Sequence, residues 1–362
     1  MQCANNIRQL ALAVHNFHDT FGQFPSARRQ QKGLNGAERA DGDDINRIGG
    51  LTMLLPFVEQ TQVWSRVVAL VEEAIRRNDR GWAAPWNEIT ANPPDAGTLG
   101  QTPPHNQERR PGGSLNAWNN KIPSFRCPSD GYNRNDRNPT NYRMNGGDVF
   151  MTVCWNDGNI GPRGVFANGV LQVSTMAVPD GTSNTMMFAE GIIGVDGSTT
   201  VATGVAVRPC RTWDDRPVAP IEMLAAKGPN NALVGEVYNG SEMPGSRWGD
   251  GRAPFSVVFT VLPPNSPTVR YNEEWTWVSP SSRHPGGVAT VACDAAYRFV
   301  NDSVNTTTQG IPRNPSDRTE LGLSLAIDWI ANVTDVKRYS GPSPYGTWGA
   351  YGSAQGGDSA AF

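Results

Sequence analysis

Residues Cys3 to Pro25 read CANNIRQLALAVHNFHDTFGQFP, and the fold turns on this stretch. Ile7, Leu10, Ala11, Val14, Phe17, His18 and Phe21 recur at three- and four-residue steps, which lays one mostly apolar stripe along a helix. Gly22 and Pro25 stop it, because glycine tolerates a left-handed cap and proline cannot continue a helix. At ~1.5 Å per residue the helix is roughly 28 Å long. Asn5, Asn6, Arg8, Gln9, Asn16 and Asp19 occupy the other face, so the segment is amphipathic and does not span a bilayer. On periodicity alone it is a core helix. His15 and His18, three residues apart, have the spacing to share a metal with Asp19. Polar contacts in helix packing are the simpler role for them.

The chain around this helix has 362 residues, enough for a large core in one domain or two. Its net charge is −3, with no basic block, which argues against a nucleic-acid or anionic-membrane partner. Glycine (39) and proline (28) are abundant and hydrophobic residues make up only 38%, a balance that favours loops and short strands over a helical bundle. No apolar run approaches the ~20 residues of a membrane helix. The five cysteines, Cys3, Cys127, Cys154, Cys210 and Cys293, are widely spaced and form no Cys-x-x-Cys pair, so zinc ribbons and thioredoxin-type sites are not expected.

Downstream of the helix, residues 26–48 are polar and form a surface loop. Gly50 to Arg77 is a second helical region, with a stripe at Val63, Val67, Leu70, Val71 and Ile75, and Pro56 marking a kink. It is expected to pack beside the first. Residues 78–120, rich in Asn, Pro and Gly, are an irregular excursion. Cys127-Pro-Ser-Asp-Gly131 is a turn by its chemistry. Strand-like pieces follow at Asn141–Phe166, Thr185–Glu190, Phe255–Leu262 and Trp275–Val278. Residues 191–254 show no sustained period and form a loop-rich insertion. Val288–Cys293 and Tyr297–Val300 form a hairpin around an Asp294-Ala-Ala turn. Leu321–Val333 has helical spacing, and a Gly/aromatic tail folds back on its own domain. Asp180, Ser183 and Asn184 are weak calcium candidates, though such side chains in tight turns more often bond their own backbone. His284 can be a base, a metal ligand or a hydrogen-bonded structural residue.

Several of these stretches carry a resemblance in addition. Cys3-x-Asn-Asn-Ile-Arg-Gln-Leu-x-Leu-Ala-x-His-Asn-Phe-His-Asp-Thr-Phe-Gly-x-Phe-Pro25 resembles the start of a large bacterial family of pilin-like secreted proteins. That family carries a prepilin-type cleavage and methylation signal and is otherwise a domain of unknown function. Leu54-Leu-Pro-Phe-Val-Glu-Gln60, Cys127-Pro-Ser-Asp-Gly131, Asp180-Gly-Thr-Ser-Asn-Thr185 and the closing Gly-Thr-Trp-Gly-Ala-Tyr-Gly segment are similar to the family's in the same order. His284-x9-Asp294 matches a motif that ends in Asp-Gly, with Ala295 here in place of the glycine. If that turn needs φ > 0, alanine is strained there. The family's processing site lies upstream of Met1.

The resemblance implies an α+β, pilin- or pseudopilin-like fold, with a long N-terminal helix on an antiparallel sheet and large loop insertions. The domain reading is residues 1–25 as the helix, 26–335 as one globular domain with insertions at 78–120 and 191–254, and 336–362 as the tail. The resemblance also implies export and an extracellular or cell-surface structural role. The assembly residues are then Ile7, Leu10, Val14, Phe17 and Phe21, and the partners are copies of the chain or other pilin-like subunits. Because they lie in the resembling segments, Cys3 and Cys127 are the first disulfide candidates, the alternative being free buried thiols. No enzyme activity and no cofactor are expected. The rival reading is a monomeric carbohydrate- or ligand-binding module using Trp82, Trp86, Trp275 and Trp277.

Overall fold

The computed structural model describes residues 2–27, 49–76, 120–132, 138–148, 163–166, 178–207, 223–270, 276–306, 342–343, 345–354, 356–357 and 360, the side chains of 69–76 excepted. The proposed Leu321–Val333 helix, most of the 26–48 and 78–120 loops, and Trp82, Trp86, Trp275, Cys154 and Cys210 lie outside them.

Helix α1 (Gln2–Phe21) buries Cys3 and, of the stripe expected from periodicity, Ile7, Leu10, Ala11, Val14 and Phe17, while His18 is half-buried and Phe21 exposed. Gly22, at φ +73°, caps it, its N–H bonding to the His18 carbonyl at 2.6 Å. The second helical region is broken into α2 (Gly50–Met53), a 3-10 turn (Leu55–Val58) and α3 (Thr61–Arg76). Pro56 sits in that 3-10 turn and Glu59 adopts a left-handed cap, which explains the break. It is the 3-10 turn that meets α1 most closely, with Phe57 edge-on to Phe17 at 5.9 Å.

The central layer is a five-stranded sheet in the order β4-β1-β2-β7-β8, built from β1 (Tyr142–Asn145), β2 (Met186–Glu190), β4 (Val257–Val258), β7 (Gly287–Ala292) and β8 (Tyr297–Asn301). All its pairs are antiparallel except β1 with β4. A smaller three-stranded sheet joins β3 (Val205–Val207), β5 (Thr268–Arg270) and β6 (Thr276–Trp277), with β3 and β5 parallel. The described fold is therefore mixed α+β.

Every residue of β2 and β7 is buried, because both faces of the main sheet are covered. α1 lies across β2 and β7, its stripe in one core with Met187, Phe188 and Val291. The opposite face, with Met186, Ala189, Val288 and Ala292, packs against Trp348 and Tyr351. These belong to α5 (Gly346–Gly352) in the tail. The described part of the tail therefore folds onto its own chain. Trp348 Nε1 donates to the Leu262 carbonyl at 2.7 Å, and Asn145 Nδ2 to the Gly352 carbonyl at 2.8 Å. No helix among the described residues is long and apolar enough to cross a membrane.

One expectation needs correction. Phe255–Leu262 is buried throughout but is not one strand. Pro254 starts a single helical turn, α4 (Ala253–Ser256), and only Val257–Val258 then pairs as β4. Within the 191–254 stretch, Met243, Trp248 and Asp250 are fully buried. Trp248 packs edge-on to Phe125 and donates its indole N–H to the Asn120 carbonyl at 2.9 Å.

Candidate functional site

Four segments far apart in the chain meet beneath the first turn of α1. Cys3, in that turn, is joined by a disulfide to Cys127, with Cα atoms 4.7 Å apart. Cys127 follows the 3-10 turn Pro123–Phe125 and opens the Cys-Pro-Ser-Asp-Gly bend, closed by the Asp130 N–H on the Cys127 carbonyl at 3.0 Å. Glu190 is the last residue of β2, and His284 lies in the loop that enters β7. His284 Nε2 is 3.7 Å from Cys127 Sγ and 3.8 Å from Glu190 Oε1. Among the described residues, Cys3, Cys127, Glu190 and His284 form a group whose ligand-type atoms all lie within 4.8 Å of one another.

Each member is held by bonds independent of the disulfide. The Cys3 carbonyl accepts the Tyr142 hydroxyl at 3.0 Å, and the Cys127 N–H donates to Asn141 Oδ1 at 3.0 Å. Asn6 Nδ2 donates to the Arg126 carbonyl at 2.7 Å, tying α1 to the segment that carries Cys127. Ser282 orients two members together: its hydroxyl donates to Glu190 Oε2 at 2.8 Å while accepting the His284 N–H at 2.9 Å. Asn141 Nδ2 and the Ile193 N–H both donate to Asp130 Oδ2, at 2.6 and 3.0 Å.

Burial dominates the electrostatics. It raises the Glu190 carboxyl above its ordinary range, and the Ser282 hydrogen bond and the nearby His284 only partly offset it. Burial likewise raises the Tyr142 hydroxyl, reinforced by the Glu190 charge, and lowers the Arg143 guanidinium to about 10. The entrance is on the histidine side: the His284 side chain is 34% exposed, whereas Cys3, Cys127 and Glu190 are buried. A disulfide flanked by an imidazole and a carboxylate is suited to thiol–disulfide exchange or, when opened, to metal ligation.

The remaining candidates fall elsewhere. Asp294 sits at the far end of β7 from His284, in a three-residue turn where its Oδ1 accepts the Ala296 N–H at 2.9 Å. The two residues of that motif therefore do not meet. Asp180 turns both carboxylate oxygens to tail amides, the N–H groups of Gly356 and Gly357, at 2.7 and 2.8 Å. Asn184 Nδ2 bonds the Asp180 carbonyl at 3.2 Å, and the Ser183 carbonyl accepts Arg298 Nη2 at 2.7 Å. Asp180 and Asn184 thus bond main-chain groups through their side chains, and Ser183 takes part through its carbonyl.

His15 and His18 both pack edge-on to Phe24, at 6.2 and 5.7 Å. His18 Nδ1 also lies 3.7 Å from Asp19. Of the assembly candidates, Ile7, Leu10, Val14 and Phe17 are occupied within the chain's own core, and only Phe21, 57% exposed, faces outward. Trp277 is buried in β6, closed to a surface ligand. Cys293 is a buried free thiol whose pKa burial pushes up, which makes it unreactive. Sequence reasoning did not single out Glu190 as a site residue. Its signal was a carboxylate closing an otherwise apolar strand.

Comparison with known proteins finds one family, described as a protein of unknown function (DUF1559), whose model matches residues 1–307. The chain belongs to that family. No curated protein and no solved structure matches it.

Proposed function

We propose that this chain is a secreted or cell-surface structural protein, a pilin-like subunit that self-assembles into an extracellular filament or similar polymer, and that it is not an enzyme. The observation that carries the reading is α1 laid across a largely antiparallel sheet and tied at its first turn, through Cys3–Cys127, to the Cys-Pro-Ser-Asp-Gly bend. Disulfides persist in oxidising compartments, which supports export. An N-terminal helix fixed in this way gives any residues upstream of it a rigid base.

Because the α1 stripe is buried within its own chain, contacts between subunits fall to the outer surface, including Leu12 (55% exposed) and Phe21 (57% exposed) on the same helix. Repetition of such head-to-tail contacts gives a filament or a ring, depending on whether the rotation closes. The test is sedimentation velocity over a concentration series with negative-stain electron microscopy of the same samples. Ordered polymers that Leu12→Asp or Phe21→Asp abolishes, with far-UV circular dichroism unchanged, are expected. Concentration-independent monomers from native material would refute the reading.

A further inference from the structure

We propose that the Cys3–Cys127–Glu190–His284 cluster is a redox-gated metal site, which is closed while the disulfide is intact and binds a zinc-class divalent ion once it is reduced. Zinc bonds of about 2.0–2.3 Å arranged as a tetrahedron place ligand atoms roughly 3.3–3.8 Å apart. Cys127 Sγ to His284 Nε2 is 3.7 Å and His284 Nε2 to Glu190 Oε1 is 3.8 Å, so two edges of that tetrahedron already stand. Opening the disulfide lets the two sulfurs separate to a similar distance and supplies the remaining ligands. Two thiolates, one imidazole and one carboxylate form a mixed soft and borderline set that suits zinc over calcium or magnesium.

Preorganisation is the stronger argument. The contacts that hold the four residues do not depend on the S–S bond: Tyr142 on the Cys3 carbonyl, Asn141 on the Cys127 amide, and Ser282 on both Glu190 and His284. Ser282 takes Glu190 Oε2, leaving Oε1 turned towards the histidine. Ser129 Oγ, 3.6 Å from Cys3 Sγ, is a ready hydrogen-bond partner for a thiolate there.

The gating step needs a dithiol as reductant. Its two sulfurs join in a disulfide of their own as the Cys3–Cys127 bond breaks, and its two electrons and two protons leave Cys3 and Cys127 as thiols. Binding of the ion then releases both thiol protons to water, together with the carboxyl proton where Glu190 carries one.

The test is a Co2+ titration of the protein after dithiothreitol treatment and anaerobic removal of the reductant, with the untreated protein alongside. The reduced form is expected to bind one Co2+ with thiolate-to-cobalt charge transfer and tetrahedral d–d bands, Zn2+ to displace it, and the oxidised form to show neither band. His284→Ala is expected to weaken Co2+ binding at least about 100-fold, and Ser282→Ala, which removes only a positioning contact, about 10-fold. Absence of the bands in the reduced protein, or affinity unchanged in both His284→Ala and Glu190→Gln, overturns the proposal. Should reduction unfold the chain, Zn2+ restoring the native circular dichroism supports the site, and failure to restore it overturns the site.

Discussion

Removing the Cys3–Cys127 bond is expected to destabilise the protein without undocking the helix it holds. The bond closes a loop with a sequence separation of 124. In the chain-entropy treatment, cross-linking a loop of that length raises stability by about 5 kcal/mol, and removal of native disulfides typically costs about 2–5. That effect belongs mainly to the unfolded state. In the folded state, α1 keeps Ile7, Leu10, Val14 and Phe17 in the core, each burial contributing roughly 1.5–3 kcal/mol. The Asn6 bond to the Arg126 carbonyl and the Tyr142 bond to the Cys3 carbonyl also remain. The helix therefore stays in place when the bond opens. The assay is urea unfolding of wild type with and without reductant, beside Cys3→Ser. Both reduced wild type and the variant should unfold at lower urea, with a steeper m-value because the uncrosslinked chain exposes more surface. Their native far-UV spectra should match the oxidised protein's. Equal midpoints in all three samples would mean that the bond does not form in solution. A loss of helical signal on reduction alone would mean that the buried stripe does not hold α1, and the partition of magnitudes above would be wrong.

Other perturbations test other parts of the fold. Ala295 sits at φ +65° in the β7–β8 turn, where an L side chain is strained, so Ala295→Gly is expected to stabilise by about 0.5–1 kcal/mol in chemical denaturation, the greater freedom of unfolded glycine offsetting part of the gain. At Gly352 an added Cβ would run into the Thr260 side chain, so Gly352→Ala is expected to cost about 1–3 kcal/mol and to increase the solvent quenching of Trp348 fluorescence. The Glu190 carboxyl is raised above its ordinary value of 4.5 by burial, so the folded state holds this proton more tightly than the unfolded state. Its contribution is fully present below pH about 4.5 and is lost as pH rises through the folded-state value. Glu190→Gln should remove that decline from the stability–pH curve measured by denaturant titration, and a curve that keeps it would point to another group.

The parts of the fold that follow from local pattern could be read in advance. The α1 stripe repeats at the helical period and burial follows it, whereas β2 and β7 are mostly apolar runs buried at every position, and the β7–β8 hairpin is marked by its Asp294 turn. The stretch around Trp248 gave no such signal. Its residues enter the core through turns and single hydrogen bonds, such as the Trp248 N–H to the Asn138 carbonyl at 2.9 Å, and these leave no periodicity. Phe255–Leu262 misled for a related reason. An apolar run looks the same whether it is buried in a strand or in an irregular core segment, and only Pro254 hinted at the helical turn.

The candidate site was legible as fragments but not as a place. β2 runs from the Asp180 turn towards Glu190, and β7 returns antiparallel from the His284 loop to the Asp294 turn. This strand pair therefore carries one motif group to each end. At one end, Cys3, Cys127, Glu190 and His284 gather beneath the first turn of α1. At the other, the Asp294 N–H meets the Thr182 carbonyl at 3.1 Å, while Asp180 holds the tail amides. The spacing between His284 and Asp294 thus measures a strand rather than a reactive pair: nine intervening residues are enough to cross β7 and reach the turn. The histidine's partners come instead from residues 63, 94, 157 and 281 positions away from one another or from it, through pairing that no local window contains. It follows that the motif can keep its spacing while the chemistry at each end changes independently, and that Asp294→Asn should loosen the turn yet leave the Co2+ spectrum of the reduced protein unaltered.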